Sequence, residues 1–281
     1  MSTIQSLLKW ATEKLESSPN GLRDAQLLLQ EVLGCSQVHL YSWPGQMVDN
    51  PRIKIFQSFV ERRAKGEPIA YILGHRAFWT IDLKVTPVTL IPRAETEGLV
   101  EVILETVKSK HAKILELGTG CGAIALALAK EKPYWEILAT DSRPSVLELA
   151  RENAKRNEIK NVGFVQGNWF SPFNLGKDFY DVVVSNPPYV AEGDPHLELG
   201  DLRFEPKEAL IAGPTGLEAL EKIIKNAKAF LKPGGLIVLE HGASQGEAVL
   251  DLFAKAGFGE GQTRHDLAHL PRVGIAFNSK A

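Results

Sequence analysis

Asn186-Pro187-Pro188-Tyr189 is the stretch of this chain whose residue types and order could carry out chemistry. A carboxamide, a rigid turn and an aromatic ring follow directly on Tyr180-Asp181-Val182-Val183-Val184-Ser185, an apolar, β-branched run that reads as a buried parallel strand. Two consecutive prolines forbid both a continuing ladder and an immediate helix, so the strand must stop there. In an open α/β sheet, ligands bind in the crevice beyond the carboxyl ends of the strands. The chemistry these residues suit is presentation of a planar NH2 group. The Asn186 side-chain carbonyl and the Pro187 backbone carbonyl can each accept one of its hydrogens, and the Tyr189 ring offers a wall for the attached plane. On this reading the ring packs and the Tyr189 hydroxyl has no task. An isolated Asn-Pro is usually an ordinary strand-ending turn; the four-residue string after a buried strand is far more specific.

A second constellation lies upstream. Lys113-Ile114-Leu115-Glu116-Leu117 reads as a short buried strand, and Gly118-Thr119-Gly120-Cys121-Gly122 turns directly into a helix from Ala123 to Ala129. Glycines there let a cofactor approach the backbone and let the helix pack closely on the strand. Gly118, Gly120 and Ala123 also satisfy the relaxed dinucleotide fingerprint, with Asp141 ending the next strand near the expected ribose distance, so NAD is a rival ligand at this point. Asp141 serves either class of cofactor, because a carboxylate accepts a hydrogen bond from each ribose hydroxyl. Trp169 follows the strand Val162 to Gln166 and could cover an adenine ring or simply pack.

The elements that must position these residues alternate. Helical segments Ser145 to Asn157, Leu217 to Leu231 and Gln245 to Ala256 are interleaved with the strands above and with Leu236 to Leu239. Two weaker strands follow, near Gly261–Arg264 and Arg272–Phe277. This βα rhythm implies a mainly parallel sheet with helices on both faces and an antiparallel addition at one edge. Residues 1–74 look wholly helical: Ile4, Leu7, Leu8, Ala11 and Leu15 recur at helical spacing after the capping pair Ser2-Thr3. Asp24 to Leu33 and Ile53 to Ala64 follow, closed by Gly34 and Gly66. Arg52, Lys54, Arg62, Arg63 and Lys65 read as a solvated basic helix face. From Phe78 to Val85 the pattern alternates, as in a hairpin. Three parts follow: a helical domain over 1–74, expected to recognise the substrate because it carries no catalytic constellation, a β-hairpin linker over 75–92 and a catalytic domain over 93–281. Leu90-Ile91-Pro92-Arg93 leads into Glu95-Thr96-Glu97, whose acids suit the positive end of a helix dipole.

With 281 residues and a net charge of −2, the chain has ample core and no broad electrostatic footprint for nucleic acid. Cys35 and Cys121 have no paired spacing, which argues against a disulfide scaffold or a zinc site. No apolar run spans a bilayer and the N-terminus lacks a leader pattern, so a soluble, cytoplasmic protein is expected.

Taken in order, these pieces resemble the protein-glutamine N5-methyltransferases that modify peptide-chain release factors, the HemK/PrmC family. The matching residues are Leu90-Ile91-Pro92-Arg93 with Glu95-Thr96-Glu97, Glu116 to Gly122, Asn186-Pro187-Pro188-Tyr189-Val190, and Glu205-Pro206 with Ala209-Leu210. Lys232-Pro233-Gly234-Gly235, Glu240-His241-Gly242 with Gln245, and Asp266-Leu267-Ala268 with Arg272 match as well. The family commonly has proline where this chain has Ala94 and glycine where it has Thr80. The resemblance implies a Rossmann-like, S-adenosylmethionine-dependent methyltransferase fold with a seven-stranded sheet. It implies that Gly118, Thr119, Gly120, Cys121, Gly122, Asp141, Trp169 and Asn186 contact S-adenosylmethionine. It also implies that Asn186, Pro187, Pro188 and Tyr189 hold the glutamine of a Gly-Gly-Gln loop in a class I release factor, with no direct nucleic-acid or membrane binding. Glu95-Thr96-Glu97 favours release factors over the ribosomal-protein substrate of a sister family. An adenine or cytosine amino-methyltransferase would use the same four residues but would need a basic, base-flipping surface. A dehydrogenase would leave Asn186 to Tyr189 idle.

Overall fold

The computed structural model describes residues 2–173 and 179–279. The chain divides into two compact units, Met1–His75 with Glu198–Phe204, and Arg76–Leu197 with Glu205–Ala281.

The first unit opens with β1 (Ser2–Thr3), paired antiparallel with β2 (Met47–Val48). It is therefore not wholly helical, as its periodicity suggested; a two-residue pairing is too short to leave an alternating pattern. Helices α1 (Ile4–Lys14), α2 (Gly21–Leu33), α3 (Gln37–Ser42), α4 (Asn50–Ala64) and α5 (Ile69–Leu73) make up most of the rest. The Thr3 side chain caps α1 by accepting from the Ser6 N–H, Asp49 caps α4, and Gly34 ends α2 at φ +62°. Ile4, Leu7, Leu28, Leu29, Phe56 and Val60 fill the core. The basic side of α4 is largely solvated as expected, with Arg52, Lys54 and Lys65 exposed, but three of its residues are also ion-paired. Arg52 pairs with Asp49 and Arg62 with Glu67, while Arg63, largely buried, bonds Asp24 at 2.7 Å and Asp201 at 3.1 Å.

In the second unit, β3 (His75–Phe78) and β4 (Ile81–Lys84) form a hairpin with Trp79 at φ +52° in its turn. After α6 (Glu97–Thr106) the chain alternates through β5 (Lys113–Leu117), α7 (Ala123–Glu131), β6 (Glu136–Asp141), α8 (Pro144–Arg156), β7 (Val162–Gln166) and β8 (Tyr180–Ser185). A short parallel pair, β9 (Val190–Ala191) and β10 (Ile211–Gly213), precedes α9 (Glu218–Ala227), β11 (Leu231–Glu240), α10 (Gly246–Lys255), β12 (Gln262–His265) and β13 (Pro271–Phe277). The seven-stranded sheet has the order β12-β13-β11-β8-β5-β6-β7. Only β13 runs against the others: it is antiparallel to β11 and to β12, so the edge strand β12 regains the common direction.

Alternate residues of the central strands serve opposite cores, as a strand's period of two requires. Ile114, Val182, Val184 and Val238 face the core shared with α6, α7 and α8, whereas Leu115, Val183, Ile237 and Leu239 face that of α9 and α10. Both faces of the sheet are thereby covered, which is the expected doubly wound, Rossmann-like arrangement.

Candidate active site

The sheet's register brings the sequence motifs together. Leu117 pairs with Thr140 on one side and with Ser185 on the other, and Ser185 pairs with Leu239. One residue further, Asp141, Gly118, Asn186 and Glu240 therefore leave four neighbouring parallel strands at the same level. This is also the topological switch point, because the chain proceeds from β5 outward through β6 and β7 and then returns to β8 on the other side of β5. The Ser185 hydroxyl donates to the Leu117 carbonyl at 2.7 Å, tying the two central strand ends together.

A cavity of about 540 Å³ opens at this level. Gly118, Thr119, Gly120, Cys121, Asp141, Trp169, Asn186 and Pro188 line it. Gly122, Pro187 and Tyr189 are not among its lining residues. Gly122 caps α7 at φ +91°, where a Cβ would come within 3.0 Å of Leu126, so helix packing alone demands glycine there. Gly120, at φ +57°, has no atom within 4 Å of where a Cβ would stand, and its backbone faces open space. Trp169 holds φ +53°, a conformation costing about 1–3 kcal/mol, and its ring lies against Gly118.

Both Asp141 oxygens are anchored, Oδ2 by the Gly120 N–H at 3.2 Å and Oδ1 by the Arg143 N–H at 3.1 Å, and each keeps a lone pair. Glu116, fully buried beneath the glycine turn, accepts from the Thr119 hydroxyl at 2.6 Å and from the Ala125 N–H at 3.2 Å. Burial pushes its pKa up to about 8, against the pull of those two donors. Burial likewise pushes the Cys121 thiol up to about 12, which leaves it protonated and unreactive.

The Asn186 turn is braced from three distant segments. Asn186 Nδ2 donates to the Thr96 hydroxyl at 3.1 Å, which leaves the side-chain carbonyl available. The Tyr189 hydroxyl, contrary to a purely packing role for this residue, donates to Glu240 Oε1 at 3.1 Å. Burial, chiefly, raises the pKa of both partners. Gln245 Nε2 donates to the Tyr189 carbonyl at 3.0 Å, while its own carbonyl accepts from Gly242 N–H at 2.8 Å. The remaining motif residues shape the surrounding loops. Arg93 pairs with the buried Glu205, whose other oxygen accepts from the Ile91 N–H, and Glu97 accepts from the Trp79 N–H at 2.8 Å. Asp266 pairs with Arg272 at 3.1 Å. Thr96, Glu116, Glu208 and Lys222 also line the cavity but were not singled out as site residues. Glu116 left a signal, an acid inside an apolar strand; the others left none of that kind.

Comparison with known proteins adds the family. Residues 6–74 match the model of the PrmC N-terminal domain, and residues 108–270 match a methyltransferase domain. A crystal structure of a methyltransferase from Pyrococcus furiosus shares the fold, with TM-score 0.52 at 21% identity over 78% of this chain and 97% of that one. A 16S rRNA methyltransferase from T. thermophilus, in complex with AdoMet and guanosine, aligns with TM-score 0.52 at 18% identity over 74% and 50% of the two chains. The chain is 46% identical over 273 residues to the release factor glutamine methyltransferase of Vibrio cholerae, covering 96% of this chain and 95% of that one. Its identity to the enzyme of the same name from Coxiella burnetii is 46% over 278 residues, covering 98% and 99%. That likeness runs through the helical unit, the glycine turn and the Asn186 turn alike, and the chain belongs to the release factor glutamine methyltransferase family.

Proposed function

We propose that the chain transfers the methyl group of S-adenosylmethionine to the side-chain amide nitrogen (N5) of the glutamine in the Gly-Gly-Gln motif of class I release factors. The observation that carries this reading is the register row itself. It sets Asp141, the turn Gly118 to Gly120 and Asn186 side by side at one cavity, which supports a ribose acceptor, a cofactor cradle and an amide acceptor acting together.

The residues present fit the cofactor. A volume of about 540 Å³ is ample for an adenosyl group with a methionine tail. Asp141 has a lone pair on each oxygen for the two ribose hydroxyls, Trp169 offers a ring face, and Gly120 leaves its backbone open to close approach. Bound there, S-adenosylmethionine supplies an electrophilic methyl group on a sulfonium sulfur. The protein's task is then to present a poor nucleophile, since the lone pair of an amide nitrogen is delocalised into its carbonyl. The Asn186 side-chain carbonyl and the Pro187 backbone carbonyl each accept one N–H of the substrate amide, fixing the nitrogen towards the methyl. They would also stabilise the positive charge that grows on nitrogen as the methyl carbon leaves sulfur, which keeps the bonding pair as a neutral thioether, and one N–H proton would then pass to water. Pro188 keeps the turn rigid, and Tyr189, outside the cavity lining, braces it through its bond to Glu240.

The helical domain, residues 1–74, selects the protein substrate, and the catalytic domain carries the transfer. The setting is the cytoplasm; no helix among the described residues is long and apolar enough to cross a membrane. Incubation with labelled S-adenosylmethionine and, in parallel, a release factor, a ribosomal protein, DNA and NAD tests the reading. Label is expected on the release-factor glutamine. Label on the ribosomal protein or on DNA with none on the release factor, or NAD binding without methyl transfer, would overturn it.

A further inference from the structure

A carboxamide is nearly symmetric in shape, and Asn186 can do its proposed work only with its oxygen towards the substrate. With its NH2 group there instead, two donors would face each other and the substrate amide would be repelled. Something must therefore hold the flip. Asn186 Nδ2 lies 3.1 Å from the Thr96 hydroxyl, and Thr96 is 4% exposed at the mouth of α6. A hydroxyl has one proton, so this bond has the right direction only if that proton points elsewhere. The acceptor left for that proton is Glu240, which stands in the same register row, is 1% exposed and holds the Tyr189 hydroxyl on Oε1. Its other oxygen, Oε2, is buried with no hydrogen-bond partner among the described residues, so the group has acceptor capacity to spare. Thr96 makes no capping bond to its own helix, which leaves its side chain to this network.

We infer that Thr96 is a positioning residue for methyl transfer: its hydroxyl donates towards Glu240, accepts from Asn186 Nδ2, and so locks the Asn186 carbonyl towards the substrate amide. The inference rests on the proposed function. Thr96 occupies the centre of the Glu95-Thr96-Glu97 motif, whose two acids have other duties: Glu97 holds the hairpin at Trp79, and Glu95 is exposed. Glu240 acts one bond further back. In its ionised form it can only accept, and that form gives the whole chain of bonds one direction; Arg272 and the Tyr189 hydroxyl favour it against the burial that raises its pKa.

The test compares Thr96→Val, which keeps the shape and removes the hydroxyl, with Thr96→Ser, which keeps the hydroxyl. Single-turnover transfer to a release factor is measured with cofactor saturating, alongside the substrate KM, cofactor affinity by calorimetry and the unfolding midpoint. Thr96→Val is expected to lower the transfer rate on the order of tenfold to a hundredfold, with KM and cofactor affinity within about twofold of wild type, and Thr96→Ser to restore most of the rate. Glu240→Gln provides a second route if Thr96→Val does not fold. Its amide NH2 can donate to Thr96, freeing the Thr96 proton to turn towards Asn186 and reversing the flip, so the rate should again fall at unchanged cofactor affinity. A folded Thr96→Val or Glu240→Gln that transfers at the wild-type rate overturns the inference, as does Thr96→Ser being as slow as Thr96→Val. A wild-type protein that leaves the release factor unlabelled overturns the function and this inference together.

Discussion

Asp141 provides a sharp test of the cofactor site because both its oxygens are already in use. Asp141→Ala removes the acceptors for two ribose hydroxyls and releases the Gly120 and Arg143 N–H groups at the same time. Each hydrogen bond to a charged group contributes about 1.5–3 kcal/mol, but water entering the vacated space recovers part of that, so a net loss of about 1–3 kcal/mol is expected, or ~5- to 150-fold in affinity. The instructive variant is Asp141→Asn. If the side chain served the ribose through one free oxygen, Asn would keep roughly half the binding. Here one end of any amide must turn its NH2 group against a backbone N–H, from Gly120 at one side or Arg143 at the other. Asp141→Asn should therefore bind no better than Asp141→Ala. Titration calorimetry with S-adenosylmethionine on variants shown to be folded measures both. Unchanged affinity in Asp141→Ala would refute the ribose assignment, and an Asn variant within about threefold of wild type would refute the argument from the two anchors.

Tyr189→Phe removes the hydroxyl that donates to the buried Glu240, leaving that carboxyl short of a partner; a stability loss of about 1–3 kcal/mol is expected by urea denaturation, and wild-type stability would sink the assignment. Glu116→Gln should flatten the pH dependence of stability in the ligand-free protein. The native carboxyl titrates near 8 against an ordinary 4.5, so its contribution is complete below 4.5 and is lost as pH rises to about 8. The slope is at most about 1.4 kcal/mol per pH unit, because the unfolded chain gives up a proton that the fold retains. Denaturation curves whose midpoints run parallel for wild type and Glu116→Gln from pH 5 to 8 would contradict this.

What the sequence made legible was local. Val182 to Val184 followed by two prolines announces a buried strand and its end, and Gly118 to Gly122 before Ala123 announces a strand-to-helix turn, because each signal depends on backbone rules acting over a few residues. The pairing of β1 with β2 is also backbone chemistry, yet two residues a side are too few to imprint a period. The segment Glu198–Phe204 groups with the helical unit although it lies within the sequence of the other, through bonds such as that from Arg63 to Asp201, 138 residues away. No periodicity reports a contact of that span.

The same limit applies to the site, with a different consequence. Thr96, Glu240 and Gln245 were legible only as letters of a resemblance, since their partners in the Asn186 turn are 90, 51 and 56 residues distant. Their types still follow from what the turn needs. Ending a strand on Asn-Pro-Pro-Tyr removes two backbone N–H groups that could have anchored it, and Asn186 and the Tyr189 carbonyl must then find side-chain partners. The register decides which segments can supply them. Residues leaving β11 at the level of Asn186 can reach Tyr189, which puts an acceptor at Glu240 and, one helix start later, a two-ended amide at Gln245. A carboxylate buried at that point is costly by itself, and burial raises its pKa accordingly. Ionised, it offers in return a partner that accepts and does not donate, and a turn that must show one particular end of an amide has use for a partner with no second orientation.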